Sequence, residues 1–404
     1  MEKHSISDLA IFGAAPAFAE PRHVGCPNIG SRARFMERIN DVFDRRWLTN
    51  NGIYVQEFEK EVALRAGVRH CVAMCNATVA LEIAIRALEL RGEVIVPSFT
   101  FVATAHALQW QGITPVFCDI DPRTHTLDPA RVEELITPRT TGILAVHLWG
   151  RACEVDALEA IARRRGLKLL FDAAHALGCS RDGRMVGGFG DAEVFSFHAT
   201  KFINSFEGGA VVTNDGALAG RVRLMENFGF AGYDEVIELG TNGKMCEAAG
   251  AMGLTSLESM DEFVAVNRRN FEHYSRGLEG IPGVALIQYD DRLGTSNYQY
   301  IVVEVDAGIT GISRNAIVRA LHAENVFARR YFYPGCHRLE PYRSLFPDAG
   351  SRLPQTEWLC ERVLALPTGV TVAPGDIEVI CAIIRAVVGN APAVAARLQT
   401  SDAG

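Results

Sequence analysis

Between residues 72 and 214 the chain alternates short apolar runs with longer stretches of helical period, the pattern of a mostly parallel sheet covered by helices. Residues 71–75, 93–97, 114–119, 142–148, 167–172, 192–197 and 210–213 read as strands. Between the first two lies 78–90, apolar almost all round. Its polar residues Glu82, Arg86 and Glu89 fall on one stripe at helical spacing, which predicts a mostly buried helix. Stretches 151–165 and 215–227 are amphipathic helices, and 248–264 with 268–278 read as long connecting helices.

After about Ile281 the texture changes. Residues 299–305 read as a strand, 314–324 as a helix and 376–388 as a closing helix, giving a smaller α+β domain. The expected organisation is α/β: an N-terminal arm and large sheet domain over 1–280, a small C-terminal domain over 281–390, and a disordered tail over 391–404. That tail is Ala-rich and has no periodicity demanding a fold.

Composition narrows the functional classes. A chain of 404 residues, 48% hydrophobic and 22% charged, exceeds the size at which one core stops growing, so two domains are expected. The net charge of −8 and the lack of basic runs remove the electrostatic footprint of a nucleic-acid binder. Ten cysteines are too sparse for a disulfide scaffold, and their spacing gives no metal site; they read as packing thiols in a reducing, cytoplasmic setting. Residues 9–19 end in Ala-Phe-Ala like a secretory cleavage site. The leader, however, carries Glu2 and Asp8 against Lys3, and Gly13 and Pro16 interrupt it, so a signal peptide is rejected. No uninterrupted apolar run approaches the roughly 20 residues of a membrane span.

The chemistry centres on Lys201, which follows one strand and precedes the pair Gly208-Gly209, suited to close backbone approach. Upstream, Asp172 closes an apolar strand, where an unpaired carboxylate is costly to bury. An acidic strand end, a lysine and an earlier phosphate-type helix start point together to pyridoxal phosphate. The lysine amine would take the aldehyde and later move a proton, and Asp172 would keep the pyridine nitrogen protonated. The turn Cys75-Asn76-Ala77-Thr78 offers backbone N–H groups of Ala77 and Thr78, and the Thr78 hydroxyl, to a phosphate. Taken alone, such a start is a plain Asn or Thr cap. Ser196 can reach the same phosphate from the neighbouring strand. For the aromatic face against the ring, Phe101 is the candidate and Phe99 its competitor.

Six blocks in this order, Asn76-Ala-Thr, Pro97-Ser-Phe-Thr-Phe-Val-Ala-Thr, Val146-His-Leu-Trp-Gly, Phe171-Asp-Ala-Ala-His-Ala-Leu-Gly, Phe195-Ser-Phe-His-Ala-Thr-Lys and Glu207-Gly-Gly, resemble the DegT/DnrJ/EryC1/StrS family of nucleotide-sugar aminotransferases. The resemblance spans about residues 45–367. It implies the aspartate-aminotransferase fold (fold type I), with a large mostly parallel seven-stranded-type sheet and a smaller α+β domain. It further implies pyridoxal 5'-phosphate, cycling through its pyridoxamine (PMP) form, L-glutamate as donor leaving as 2-oxoglutarate, and a homodimer with shared active sites. By the same resemblance Lys201 and Asp172 are the catalytic pair, and His175 stands beside the phenolic oxygen where most members have Gln, a contact sensitive to protonation. Ala77 replaces a common Gly, harmless if its φ is negative. Asn242 resembles the residue reaching the partner subunit's phosphate, and Lys244 stands where many relatives carry Arg.

Residues 47–52, 195–209 and the block Arg330-Tyr-Phe-Tyr-Pro-Gly-Cys-His337 resemble, within that family, the 4-aminotransferases of desosamine- and enediyne-type sugar pathways. The implied reaction converts dTDP-4-keto-6-deoxy-D-glucose to dTDP-4-amino-4,6-dideoxy-D-glucose for a natural-product sugar, with Tyr331 and His337 on the substrate side. A 3-keto-sugar aminotransferase is the rival, because no motif residue reads ring position. The family's dehydratase branch has histidine in place of the lysine, and a regulator would need a DNA-binding extension; Lys201 and the acidic N-terminus argue against both.

Overall fold

The structure, a computed structural model, describes residues 3, 5–290 and 292–401. Its strands in chain order are β1 (Arg22–His23), β2 (His70–Met74), β3 (Glu93–Pro97), β4 (Thr114–Cys118), β5 (Thr140–Val146), β6 (Lys168–Asp172), β7 (Ser180–Arg181), β8 (Arg184–Met185), β9 (Ala192–Ser196), β10 (Gly209–Thr213), β11 (Val284–Leu286), β12 (Ile301–Val305), β13 (Val326–Phe327) and β14 (Val363–Leu366). Seven of them form the central sheet, in the order β2-β10-β9-β6-β5-β3-β4. The pairs β3/β4, β3/β5, β5/β6 and β6/β9 are parallel, while β10 runs antiparallel to both β2 and β9. The carboxyl ends of β2, β3, β5, β6 and β9 therefore share one edge with the start of β10. That edge is where open α/β sheets bind ligands. Strands buried on both faces must be apolar throughout, which is why they stand out in the sequence as continuous runs.

The predicted buried helix is Ala77–Ala87, with Glu82 half-buried and Arg86 exposed on its polar stripe. Glu89 lies beyond its end in a left-handed turn (φ 58°). Two expectations shift. The fifth strand stops at Val146, because Leu148–Gly150 turns away through Trp149 at φ 61°. The connecting helices are Glu247–Glu258 and Met260–Leu278, so their break lies at Ser259, whose carbonyl opens the second helix by accepting from Phe263 N–H at 3.0 Å.

A second hydrophobic cluster forms around the antiparallel sheet β11-β12-β14 and the helices Arg314–Ala323 and Pro374–Gly389. Two segments join it against expectation. The N-terminal stretch, grouped by sequence with the large domain, packs here through Leu9 and Phe18, and β1 pairs in parallel with β13. Lys3, 1% exposed, pairs with the equally buried Glu324 at 2.9 Å, and Glu324 also accepts from Ala10 N–H and Ala17 N–H. The tail expected to be disordered is instead a helix over Ala391–Ser401, with Ala391, Val394 and Leu398 buried in the same cluster. It packs against the helices Arg314–Ala323 and Pro374–Gly389 and against the N-terminal turn Ala10–Phe12, a partner remote in sequence. Residues 402–404 of that tail lie outside the described residues.

Candidate active site

Asp172 ends β6, between Val146 of β5 and Val194 of β9. Its carboxylate is buried and accepts from the Thr104 hydroxyl at 2.8 Å and from Ala174 N–H at 3.1 Å. Burial raises its pKa; the two hydrogen bonds and the nearby charge of Lys201 oppose that rise. Lys201, half-buried, sits in the turn after β9, its N–H bonded to the His198 carbonyl at 2.8 Å. Desolvation pushes its ammonium down to about 8, against the pull of Asp172. The structure thus brings the two sequence-predicted catalytic residues within electrostatic reach at one strand edge.

At the same edge Gly209 faces Met74 on one side and Ser196 on the other. A Cβ on Gly209 would lie 2.5 Å from the Ala77 nitrogen, so only glycine lets β10 pass the start of the Ala77–Ala87 helix. Asn76 caps that helix by accepting from Val79 N–H at 2.9 Å, as a plain N-cap does. Ala77 and Thr78 head the helix, with Ala77 in helical backbone and hence no cost from the missing glycine. Thr78 is exposed and Ser196 half-buried.

His175 is buried against Trp149, Tyr300 and Phe332. Its Nδ1 accepts from the Trp149 backbone N–H at 3.3 Å, and its carbonyl accepts from the side chains of Asn297 and Gln299. Burial, followed by the charge of Lys201, places its pKa well below the ordinary value. That direction opposes protonation of the ring, whereas the sequence pointed to a contact sensitive to protonation.

Of the two phenylalanines, Phe99 is 1% exposed and packs edge-on to Trp149 and Phe332, whereas Phe101, at the start of the Val102–Gln109 helix, is 58% exposed. Phe101 shares a groove of about 610 Å³ with Arg330, Tyr331 and Tyr333. His337 does not join it. The ring is buried, with Nδ1 2.7 Å from the Ser98 hydroxyl and Nε2 2.7 Å from the Glu357 carboxylate. Both ring nitrogens are committed, so His337 ties its segment to the end of β3 and is corrected from a substrate-side residue to an internal brace. Asn242 is exposed and bridges to Asn227. Lys244 donates to the Asn227 side chain at 2.8 Å and lies 4.6 Å from the centre of the Phe228 ring.

Sequence reasoning missed Thr104, Trp149 and Asn297. Trp149 stood inside a quoted block, and its signal was a bulky residue followed by glycine at a strand's end. Among the described residues no group of His, Cys, Asp and Glu side chains is arranged to hold a metal ion, and no single helix is long and apolar enough to cross a membrane.

Residues 30–385 match the DegT/DnrJ/EryC1/StrS aminotransferase family. The chain is 35% identical over 366 residues to a dTDP-4-amino-4,6-dideoxy-D-glucose transaminase of Shigella dysenteriae, covering 91% of this chain and 99% of that protein. It is 34% identical to a GDP-perosamine synthase of Caulobacter vibrioides, covering 88% and 95%. The crystal structure of DesI in the presence of its TDP-sugar product is 50% identical and superposes with a TM-score of 0.92 over 98% of this chain and 100% of that one.

Proposed function

This chain belongs to the DegT/DnrJ/EryC1/StrS aminotransferase family, and from that premise we propose that it moves an amino group from L-glutamate to C4 of dTDP-4-keto-6-deoxy-D-glucose. The product is dTDP-4-amino-4,6-dideoxy-D-glucose, a deoxyamino sugar for natural-product assembly. The observation carrying the chemistry is the Lys201–Asp172 pair at the strand edge; likeness to the DesI structure supports the sugar.

The residues present fit pyridoxal 5'-phosphate. Lys201 offers an amine that sheds its proton near pH 8, Asp172 a buried carboxylate, and the helix start beside side-chain-free Gly209 a set of backbone donors. Ala77 N–H, Thr78 and Ser196 would hold the phosphate, Asp172 the pyridine nitrogen, Phe101 a ring face, and His175 the phenolic oxygen. When bound, the cofactor supplies an aldehyde to carry the amino group and a pyridine ring to draw off electrons. Lys201 Nζ, deprotonated at modest cost, takes and returns the substrate's proton. Asp172, oriented by Thr104 and Ala174, keeps its charge directed at one atom. Tyr331 and Lys244 are assigned to the substrate side.

The same proposal includes a homodimer. Phe228, Phe230, Tyr233, Val236 and Ile237 expose apolar surface beside Asn242, whose role is to reach the partner's phosphate. The free thiols favour a cytoplasmic setting.

The test offers dTDP-4-keto-6-deoxy-D-glucose and a dTDP-3-keto-6-deoxy sugar separately with glutamate, and locates the new C–N bond by NMR. Amination at C4 is expected. Amination only at C3 overturns the substrate and leaves the aminotransferase standing.

A further inference from the structure

We propose that Trp149 is a positioning residue: its two N–H groups fix His175 and His125 each as a single neutral tautomer and tie His175 to Glu304 on the small domain's sheet. The backbone N–H of Trp149 donates to His175 Nδ1 at 3.3 Å, and its indole Nε1–H donates to His125 Nδ1 at 3.2 Å. Both groups can only donate, so each imidazole must present a lone pair at Nδ1 and carry its proton at Nε2. His125 Nε2 then donates to Glu304 Oε1 at 3.1 Å. Glu304 belongs to β12, so the chain of contacts crosses from the large sheet's edge to the small sheet.

The arrangement is held against a backbone cost. Trp149 has φ 61° and ψ 12°, a left-handed conformation rare for a bulky residue and maintained only where its surroundings over-determine it. Those surroundings are present: the side chain is fully buried, its ring stacks on Phe332 at 5.3 Å, and its carbonyl accepts from the Tyr289 hydroxyl at 3.0 Å. The left-handed turn is what aims the N–H at His175 in place of a further strand contact. His175 is left with one N–H to give and no free lone pair beside Lys201, so the proton handled at Lys201 Nζ has no competing acceptor on that ring. This role rests on the aminotransferase reading, whereas the tautomers are measured without cofactor or substrate, so either can fail alone.

The experiment uses full-length, cofactor-free protein labelled with ¹⁵N in its histidine rings, read by long-range ¹⁵N–¹H correlation at pH 7. His125→Gln and His175→Gln identify the two rings. Both are expected to show the pattern of a neutral Nε2–H imidazole. Trp149→Phe removes the indole donor but keeps the backbone N–H, so His175 should keep its pattern; combined with Glu304→Leu, which removes the acceptor at Nε2, it should convert the His125 pattern to an average of tautomers. Glu304→Leu alone leaves the indole donor in place and should leave His125 as Nε2–H, and Trp149→Phe combined with Glu304→Gln, whose amide oxygen accepts the same bond, should keep that pattern too. An averaged, Nδ1-protonated or doubly protonated His175 in the unaltered protein overturns the proposal, as does loss of the Nε2–H pattern at His125 in Glu304→Leu alone, where the indole donor should suffice. If the double variant does not fold, Glu304→Leu alone decides: an averaged His125 pattern overturns the proposal.

Discussion

The Thr104 hydroxyl donates to Asp172 Oδ2 at 2.8 Å, reaching from the Val102–Gln109 helix to the end of β6. The same carboxylate also accepts from Ala174 N–H at 3.1 Å. Thr104→Val conserves volume and removes the donor. A buried acceptor deprived of a partner costs about 1–3 kcal/mol, and the Asp172 pKa should rise further. Retention of pyridoxal phosphate, followed by fluorescence titration of the cofactor-free protein, is expected to weaken about tenfold, since ~1.4 kcal/mol is a factor of ten.

Lys201 titrates near 8 in the folded protein against an ordinary 10.5. The folded state therefore binds fewer protons than the unfolded chain between those values, and stability contributed by this group rises with pH across that window and falls as pH drops through 8. Lys201→Met removes this half-buried, desolvated charge. Cofactor-free Lys201→Met should melt above the unaltered protein at pH 7, and the gap should close toward pH 10.5. The same variant should lose the borohydride-sensitive yellow colour.

Phe99 and Phe101 separate packing from ligand contact. Phe99→Ala empties a buried aromatic cluster and should cost about 3–5 kcal/mol in urea unfolding. Phe101→Ala, at an exposed position, should stay within about 0.5 kcal/mol of the unaltered protein. Its effect should appear as faster cofactor dissociation in a dialysis time course.

His337→Phe should act on the fold. Losing the ring leaves the buried Ser98 hydroxyl with the His337 backbone N–H and the half-buried Glu357 carboxylate with Arg338, so the two lost hydrogen bonds should cost about 1 kcal/mol in thermal unfolding. The KM for the sugar nucleotide should move less than about threefold. A large KM change with unaltered melting would restore His337 to the substrate side.

The parallel strands and the Lys201–Asp172 pair were legible because strand ends in a doubly covered sheet leave polar residues in few places. Trp149 was not legible: its left-handed backbone arises from contacts with His175, His125 and Tyr289 that lie far away in sequence. Thr104 looked like any helix threonine until the fold set Asp172 beside it. His337 carried the right chemistry in the right block, but only burial shows that both its nitrogens are already occupied. The last helix, Ala391–Ser401, escaped for a similar reason, because Val394 and Leu398 share their cluster with Leu9 and Phe18.

That shared cluster orders events during synthesis. Leu9 and Phe18 belong to a cluster whose other buried members lie between Phe271 and Leu398, all carboxyl-terminal to the central sheet. The central sheet, complete by Thr213, can therefore close before that cluster has been synthesised, whereas the segment carrying Leu9 and Phe18 must wait for partners made after the sheet.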